Sequence, residues 1–295
     1  MSFGMTKGEK IFNYINITLL ALLCLVALYP FLYVLFASFS DAAPLMRHRG
    51  LLFAPIGFQT QAYKMVFDNP ILLISYSNTL FYVVAGTAIS MLLTIMGAYA
   101  FSRRGTMWGN KMMLILVFTM WFSGGLIPFY LMVRDLNMLN TRWALIIPRA
   151  ISTYNLIIMR TAFASVPESL EESARMDGAK DLTILFRIIL PLSLPVVAVV
   201  ALFYSVGQWN AWFDAMIFIN QKRTLIPIQL ILREILVLNS TEAMMAGSAV
   251  QADQMNIAET IKYAIVIVAT VPILCVYPFL QRFFVKGVMI GAVKG

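Results

Sequence analysis

Long uncharged stretches alternate with short charged ones along the whole chain. Residues 11–40, 69–102, 112–133, 188–213 and 263–281 contain no Asp, Glu, Lys or Arg, and residues 143–159 contain only Arg149. An α-helix needs about 20 apolar residues to cross the hydrocarbon core of a bilayer. The apolar runs are continuous rather than alternating, which favours helices over the strands of a membrane barrel. The pattern predicts an all-α integral membrane protein with six transmembrane helices, at 11–38, 71–101, 112–133, 143–163, 190–219 and 260–281.

The composition agrees with a membrane protein. The chain is 60% hydrophobic and 12% charged, with a mean hydropathy of +0.81. The charged fraction is about half that of a typical soluble domain. The net charge of +8 is scattered over short loops, which favours contact with anionic lipid and argues against nucleic-acid binding. We find no internal repeat, and we expect a single transmembrane domain over residues 1–295.

Residues for catalysis or metal binding are scarce. The single histidine, His48, stands between two arginines, and the two cysteines, Cys24 and Cys275, lie inside apolar windows. No metal-ligand cluster and no Ser-His or Cys-His arrangement is expected from this set. The chain also lacks the G-x-x-x-x-G-K-[ST] phosphate-binding motif. The sequence therefore predicts a protein that binds no cofactor and does not itself hydrolyse ATP.

Basic residues set the predicted orientation. Arg103 and Arg104 follow the second apolar window directly, and Lys and Arg are enriched in cytoplasmic loops. With six spans, both termini lie on the same side, which this rule places in the cytoplasm. Long external loops then fall at 41–68 and 220–257, and the second contains LILREILVL, which is apolar at helical spacing. We expect a short amphipathic helix there, on the membrane surface or against a partner.

A charged segment, 165–190, interrupts the apolar pattern. Ser165 and Glu168 have the spacing of a capping box that starts a helix, and Gly178 is placed to end it. A second short helix is expected from about Lys180, so the segment predicts a cytoplasmic helix–turn–helix. Its small and apolar residues are expected to be exposed: Ala174, Met176, Ala179 and Leu182. These features fit either a docking element for a partner or an ordinary connector.

The same segment resembles a known motif. Glu172-Ser173-Ala174, three residues, Gly178, nine residues and Ile188-x-Leu190-Pro191 resemble the EAA loop of permeases in ATP-binding-cassette (ABC) importers. Ser173 replaces the first Ala of that pattern, one small residue for another. The resemblance implies that two short coupling helices sit in a cleft of a cytoplasmic ATPase. It assigns the docking residues as Glu172, Ser173, Ala174, Asp177 and Gly178.

The resemblance extends over essentially the whole chain. Residues 124–150 and 209–219 are similar to the smaller, six-span subunit of maltose-permease-like carbohydrate importers, most of all to Gram-positive permeases for complex oligosaccharides or polysaccharides. The family implies a bacterial cell (inner) membrane location and a heterodimer with a homologous permease. It also implies two ATPase subunits that bind ATP and Mg, and an extracytoplasmic solute-binding protein, which loop 220–257 would approach. The last residues, Val293, Lys294 and Gly295, match a tail that contacts the ATPases.

A carbohydrate permease needs a polar and aromatic path through the bilayer, and polar residues in spans are functional candidates. The candidates for this path are Arg149, Tyr154, Asn155, Trp209, Asn210, Trp212 and Asp214, with Gln208 beside them. Arg149 either faces the cavity or pairs with Asp135. The group near Trp209 either lines the path or forms an aromatic belt at the interface. Trp121 and Tyr130 are expected mainly to pack.

Three other functions are alternatives to a carbohydrate permease. A permease for peptides or polyamines should have more acidic residues within its spans. A membrane-embedded enzyme needs clustered His, Asp or Glu near the membrane plane, and this chain has one histidine. A structural or sensor subunit would not need the coupling loop.

Overall fold

The computed structural model describes residues 6–103, 108–237 and 260–275, and this part of the chain is helical without strands. The helices are α1 (Lys7–Ser38), α2 (Ala42–Arg47), α3 (Gln61–Asp68), α4 (Pro70–Ser102), α5 (Gly109–Trp121), α6 (Leu126–Asp135), α7 (Thr153–Ala164), α8 (Glu168–Met176), α9 (Asp181–Ile184), α10 (Leu190–Leu192), α11 (Leu194–Trp209), α12 (Phe213–Phe218), α13 (Ile228–Val237) and α14 (Thr260–Cys275). Short 3-10 helices span Arg142–Leu145 and Arg223–Leu225, and a π-helical turn, Leu185–Ile189, joins α9 to α10.

The chain divides into two compact units. The first comprises Met1–Asn69 and Glu234–Thr270, and the second comprises Pro70–Arg233 and Val271–Gly295. Two helices, α1 and α4, are each long and apolar enough to cross a membrane, and the number rises to four if each of two bent helix pairs is one span. These counts cover the described residues, so the six-span topology stays a prediction.

Helix α1 of the first unit presents its apolar side chains outward. None of the residues in its most apolar window is buried. Only its last turn packs, where Ala37 joins a small cluster with Leu45 and Leu52. The Tyr29 hydroxyl accepts a hydrogen bond from the Leu52 backbone N–H at 2.9 Å. A long apolar helix with an exposed surface of this kind is suited to lipid or to another apolar helix.

Helices α4, α7 and α11 form the core of the second unit. Ala98, Met159, Phe163 and Val200 are completely buried where these three helices meet. Helix α4 also buries small polar residues along its length: Ser75, Asn78, Thr79, Ser90 and Thr94. Small side chains let neighbouring helices in membranes approach closely, and hydroxyl groups supply hydrogen bonds between them. These contacts provide a rigid frame for the functional region.

Buried polar groups of α4 also hold the segment that follows α12. The Asn78 side-chain amide donates to the Thr224 carbonyl at 2.7 Å, and the Tyr82 hydroxyl donates to the Leu225 carbonyl at 2.6 Å. Arg142 in turn donates to the Asn78 side-chain oxygen at 3.1 Å. Helix α13 follows, where the sequence predicts an amphipathic helix, and its residues Ile231 and Ile235 are buried.

Three of the predicted spans are not continuous helices. In 112–133, the helix is interrupted between α5 and α6, and the two helices meet at a bend of 115°. Gly125, which precedes α6, has a positive φ of 86° that favours glycine. In 143–163, regular α-helix begins only at Thr153. In 190–219, α11 ends at Trp209, and an 88° bend separates Asp181–Leu192 from α11. Pro195 in the first turn of α11 lacks the N–H that a continuous helix would need.

The charged segment folds as two helices around a tight turn, but it does not start as predicted. Ser165 is the C-cap of α7, and its hydroxyl donates to the Ala162 carbonyl at 2.8 Å. Pro167 occupies the N-cap position of α8 and makes no side-chain capping bond. The predicted capping box from Ser165 to Glu168 is therefore wrong, because the serine hydroxyl is used to end the preceding helix.

Gly178 ends α8 as the sequence predicts. It has a positive φ of 80° and follows the C-cap residue Asp177. Its N–H donates to the Arg175 carbonyl at 3.0 Å, and the Ala179 N–H donates to the Ala174 carbonyl at 2.9 Å. These two bonds form a Schellman motif, in which glycine satisfies the last carbonyls of a helix. Helix α9 begins three residues later, at Asp181.

Candidate functional site

A cavity in the second unit lies where three of the predicted spans are interrupted. Its volume is about 1000 Å³. It is lined by the break between α5 and α6 (Ser123–Gly125), by the stretch before α7 (Pro148, Arg149, Ile151 and Ser152) and by the break between α11 and α12 (Asn210 and Ala211). Non-helical backbone at membrane depth is stable where it lines a polar cavity, because its carbonyl and N–H groups find partners there. Broken helices around a cavity are also typical of substrate sites in transporters.

A buried tyrosine fixes the wall of this cavity. The Tyr204 hydroxyl on α11 lies 2.7 Å from the Thr94 hydroxyl on α4, and it accepts a hydrogen bond from the Ser152 N–H at 3.0 Å. Ser152 is the N-cap of α7, and its own hydroxyl accepts from the Asn155 N–H at 3.4 Å. One hydroxyl group thus ties three helices together at the point where α7 begins.

Arg149 and Asp214 are the charged residues that line the cavity. Nε of Arg149 lies 2.5 Å from Oδ2 of Asp214, and Nη2 donates to Oδ1 at 3.1 Å. The guanidinium group also lies over the Phe129 ring, with Cζ 5.2 Å from the ring centroid. The Arg149 side chain is 59% exposed and the Asp214 side chain 14%. The positive group therefore faces the open space, and the carboxylate lies behind it.

The predicted path residues separate into two groups. Arg149, Asn155, Asn210 and Asp214 line the cavity, and Gln208 lines it with them. Tyr154, Trp209 and Trp212 do not. The Tyr154 ring is exposed beside Phe203, Trp209 is buried edge-on against Tyr76, and Trp212 lies under the Arg233 guanidinium. The alternative pairing of Arg149 with Asp135 is wrong, since Asp135 pairs with the adjacent Arg134 at 2.9 Å.

Several cavity residues were not singled out from the sequence. Phe129, Phe203 and Phe213 supply aromatic rings, and Ser123 and Ser152 supply hydroxyl groups. The Gly-Gly pair at 124–125 inside an apolar window was the one available signal of a break. The aromatic residues carried no such signal, because phenylalanine inside an apolar run is typical of packing.

The turn between α8 and α9 is anchored by a charged network. Glu171 is buried, and its carboxylate accepts from Arg103 at the end of α4 and from Arg175 at 3.0 Å. Arg103 also donates to the Phe163 carbonyl of α7 at 2.8 Å, and Arg175 reaches Asp181 of α9 at 2.8 Å. The hydrogen bond to Glu171, with the nearby Asp181, raises the pKa of Arg175. Arg175 therefore stays charged at every physiological pH.

The outer surface of this turn is free of that network. Met176 is 89% exposed, and Glu172, Asp177 and Gly178 are exposed beside it. Leu182 is exposed as predicted, whereas Ala174 and Ala179 are partly buried against the core of the second unit. The prediction of exposure was wrong for these two alanines, because both pack against that core.

Three predicted regions lie wholly or partly outside the described residues. They are the tail residues Val293, Lys294 and Gly295, the part of the external loop from 238 to 257, and the end of the sixth predicted span, 276–281. Their roles stay predictions.

Comparison with known proteins places the chain in a family. No protein-family model matches it. The chain is 41% identical to Protein LplC of Bacillus subtilis over 98% of its own length and 97% of that protein. It is 40% identical to the polygalacturonan/rhamnogalacturonan transport system permease protein YtcP of the same bacterium, over 97% of its own length and 99% of YtcP.

Solved structures give the same result. A chain from the crystal structure of a bacterial ABC transporter involved in the import of the acidic polysaccharide alginate matches with a TM-score of 0.88 and 35% identity, covering 96% of this chain and all of that one. A second match shares the fold with a TM-score of 0.55 and 17% identity. It comes from a bacterial alginate ABC transporter in complex with an alginate pentasaccharide-bound periplasmic protein. On this identity and coverage, the chain belongs to the family of permease subunits of carbohydrate ABC transporters.

Proposed function

We propose that this chain forms one half of the translocation path of an ATP-driven importer for an oligosaccharide or polysaccharide. The observation that carries the proposal is the cavity at which three broken spans meet. Its amide groups (Asn155, Gln208, Asn210) suit sugar hydroxyls, and its aromatic rings (Phe129, Phe213) suit the apolar faces of sugar rings. YtcP, named as a polygalacturonan/rhamnogalacturonan permease, and the alginate importer are transporters of polysaccharides, which supports the same class of solute here.

The other half of the path is a homologous permease in this proposal. The exposed apolar surface of α1 supports it, since such a surface is suited to lipid or to a partner helix. An extracytoplasmic solute-binding protein delivers the saccharide, as the complex with a pentasaccharide-bound periplasmic protein suggests for the related transporter. The long external loop 220–257 is the surface that we expect this binding protein to approach.

Two ATPase subunits bind the cytoplasmic face and supply ATP hydrolysis with Mg. We assign the docking surface to the turn between α8 and α9, through Glu172, Ser173, Ala174, Asp177 and Gly178. The exposure of Met176 and Glu172 supports docking, and the Glu171 network supports transmission of force into α4 and α7. The tail with Val293, Lys294 and Gly295 is expected to reach the same ATPases.

In this proposal the chain crosses the bacterial cell membrane six times, with both termini in the cytoplasm. ATP binding closes the ATPases, moves the coupling turns of the two permeases together and opens the path outward. This is alternating access between two packed states. The saccharide then leaves the binding protein, occupies the cavity and is released inward when the ATPases separate.

A polyamine or cationic-peptide permease is disfavoured by the charges of the cavity. Its acidic side chain, Asp214, is already neutralised by Arg149 and is less exposed than that arginine. A polycation would meet a positive group first, which costs electrostatic energy in a site of low dielectric.

The experiment is uptake of labelled saccharides by the complete importer in proteoliposomes. A mixture of oligosaccharides and polysaccharide fragments is presented with the binding protein outside and ATP inside. ATP-dependent accumulation of a saccharide that disappears when this chain is omitted is the expected result. ATP-dependent accumulation of peptides or polyamines, and of no saccharide, contradicts the proposal.

A further inference from the structure

The Arg149–Asp214 pair leaves part of the guanidinium group available. A guanidinium has five N–H donors in a fixed plane. Asp214 occupies the side formed by Nε and Nη2, where the two contacts measure 2.5 and 3.1 Å. The opposite edge, formed by Nη1 and the second hydrogen of Nη2, has no hydrogen-bond partner among the described residues. This edge presents two parallel N–H donors.

Two neighbours hold that edge in place. Phe129 lies against the face of the guanidinium, at 5.2 Å from Cζ. Asp214 is only 14% exposed and belongs to the first turn of α12, so it holds the arginine from behind. An arginine fixed by stacking and by one carboxylate loses little further side-chain freedom when it binds a second group.

The free edge selects for a carboxylate. Two parallel N–H donors match the two oxygens of a carboxylate, and such charge-assisted pairs are stronger than the bonds that neutral hydroxyls make. The remaining polar groups of the cavity, Asn155, Gln208 and Asn210, are neutral and suit hydroxyls. An acidic saccharide supplies both kinds of group on one ring.

We propose that Arg149 binds the carboxylate of an acidic, uronate-containing saccharide as it passes through the cavity, and that Asp214 positions Arg149. This inference rests on the proposed function as a saccharide permease. When the cavity is empty, Asp214 balances the charge of the arginine. When the substrate carboxylate arrives, it takes the free edge, and Asp214 keeps its own contacts.

The test compares acidic and neutral substrates of equal size. A panel of uronate trisaccharides, each with its methyl ester, is offered to the complete importer in proteoliposomes. Arg149→Gln should lower kcat/KM for the acids about tenfold, the loss expected when one charge-assisted pair is removed. It should change uptake of the esters by less than about twofold, a difference too small to reflect a lost contact. ATPase activity stimulated by the loaded binding protein should persist, because Arg149 makes no contact in the turn between α8 and α9.

Matched variants separate binding from a structural role. Arg134→Gln removes an arginine of similar exposure, 54%, that pairs with its neighbour Asp135 and does not line the cavity, and it should leave both uptakes unchanged. Asp214→Asn keeps the guanidinium but weakens the contacts that position it, so it should lower kcat/KM for the acids by less than Arg149→Gln does and should still prefer acids to esters. A merely structural ion pair would make Asp214→Asn behave like Arg149→Gln.

The outcomes distinguish this inference from the proposed function. If the wild type takes up neutral saccharides but no acidic saccharide, the role proposed for Arg149 is wrong, and the proposed function as a saccharide permease is unaffected. Equal losses for acids and esters in Arg149→Gln also overturn it. Failure of the wild type to accumulate any saccharide contradicts the proposed function itself.

Discussion

Two adjacent glutamates show how different the roles of neighbouring residues can be. Glu171 is 6% exposed and accepts from Arg103 and Arg175, whereas Glu172 is exposed. The sequence shows them only as a pair of acids near the start of a helix, where both suit the helix dipole. Which of the two is buried depends on the position of Arg103, 68 residues away in the chain.

The first prediction contrasts these glutamates. Glu171→Ala should lower the free energy of unfolding by about 3 kcal/mol, because it leaves the guanidinium of Arg103 without its carboxylate in a mostly buried place. Thermal unfolding of the purified importer measures the change. Glu172→Ala is the control and should leave the melting temperature unchanged while lowering ATPase coupling. Equal melting temperatures for the two variants would show that the buried network does not stabilise the turn.

The second prediction concerns the Tyr204 hydroxyl. Tyr204→Phe should lower the free energy of unfolding by about 1 kcal/mol, a typical value for hydrogen bonds between helices in membranes. The variant loses the hydrogen bonds from Tyr204 to Thr94 and to Ser152, so the start of α7 should also become more mobile. Hydrogen–deuterium exchange of residues 152–156 reports that loosening.

Tyr154→Phe is the matched control for Tyr204→Phe. Tyr154 is 56% exposed, and its hydroxyl makes no hydrogen bond with the described residues. It should match the wild type in both melting temperature and exchange. Unchanged exchange at 152–156 in Tyr204→Phe would show that the Tyr204 hydroxyl does not hold the start of α7 in place.

At the scale of helices, close approach between α4 and α11 depends on Gly86. A Cβ atom there would lie 2.8 Å from Cδ and from Nε2 of Gln208. The Gln208 side chain fills the space that the glycine leaves, and it lines the cavity. The packing of these two helices is therefore connected to the shape of the site.

The third prediction follows from this contact. Gly86→Ala should displace the end of the Gln208 side chain, and this overpacking should offset the gain in helix propensity, so its free energy of unfolding should lie about 1 kcal/mol below that of Gly207→Ala. Gly207→Ala is the control on α11, since a Cβ atom there meets nothing within 4 Å. It should keep or raise stability, because alanine favours helix over glycine. Melting temperatures in the reverse order would contradict the described packing.

The helix breaks mark the limit of what the pattern of apolar residues predicts. Windows 11–40 and 69–102 coincide with the long helices α1 and α4, because apolar length alone decides such spans. The breaks at 122–125 and 210–212 occur inside uncharged windows, and polar residues at the second one, such as Gln208 and Asn210, do not by themselves distinguish a bent helix from a straight one. The Gly178 turn was predictable, since glycine at a helix C-terminus has a local cause. The capping role of Ser165 was not predictable, because its hydroxyl can bond to the end of the preceding helix or to the start of the following one.

For the whole molecule, the uncharged windows predict a membrane protein, and the resemblance of the charged segment and of other stretches to known permeases implies a permease. Four of the seven candidate path residues line the cavity, among them Arg149 and Asp214, whose pairing with each other was not predicted. It does not separate Trp209 and Trp212 from the cavity, because a tryptophan near a membrane interface suits packing and sugar binding equally. The long, exposed apolar surface of α1 is suited to lipid or to a partner helix.

The central claim is that the turn between α8 and α9 couples ATP hydrolysis to carbohydrate uptake, and a paired activity measurement tests it most directly. Saccharide uptake and binding-protein-stimulated ATPase activity are measured together for the reconstituted importer with Met176→Glu or Gly178→Trp. Gly50→Trp is the control, since Gly50 also has a positive φ and open space around it.

The account predicts that both activities fall by at least about tenfold in the two turn variants, as expected when a charge or a bulky ring enters the centre of a docking surface. Membrane insertion should be normal, and Gly50→Trp should behave as the wild type. If both activities persist in Met176→Glu and Gly178→Trp, the charged segment is an ordinary connector and the assignment of the coupling turn is wrong.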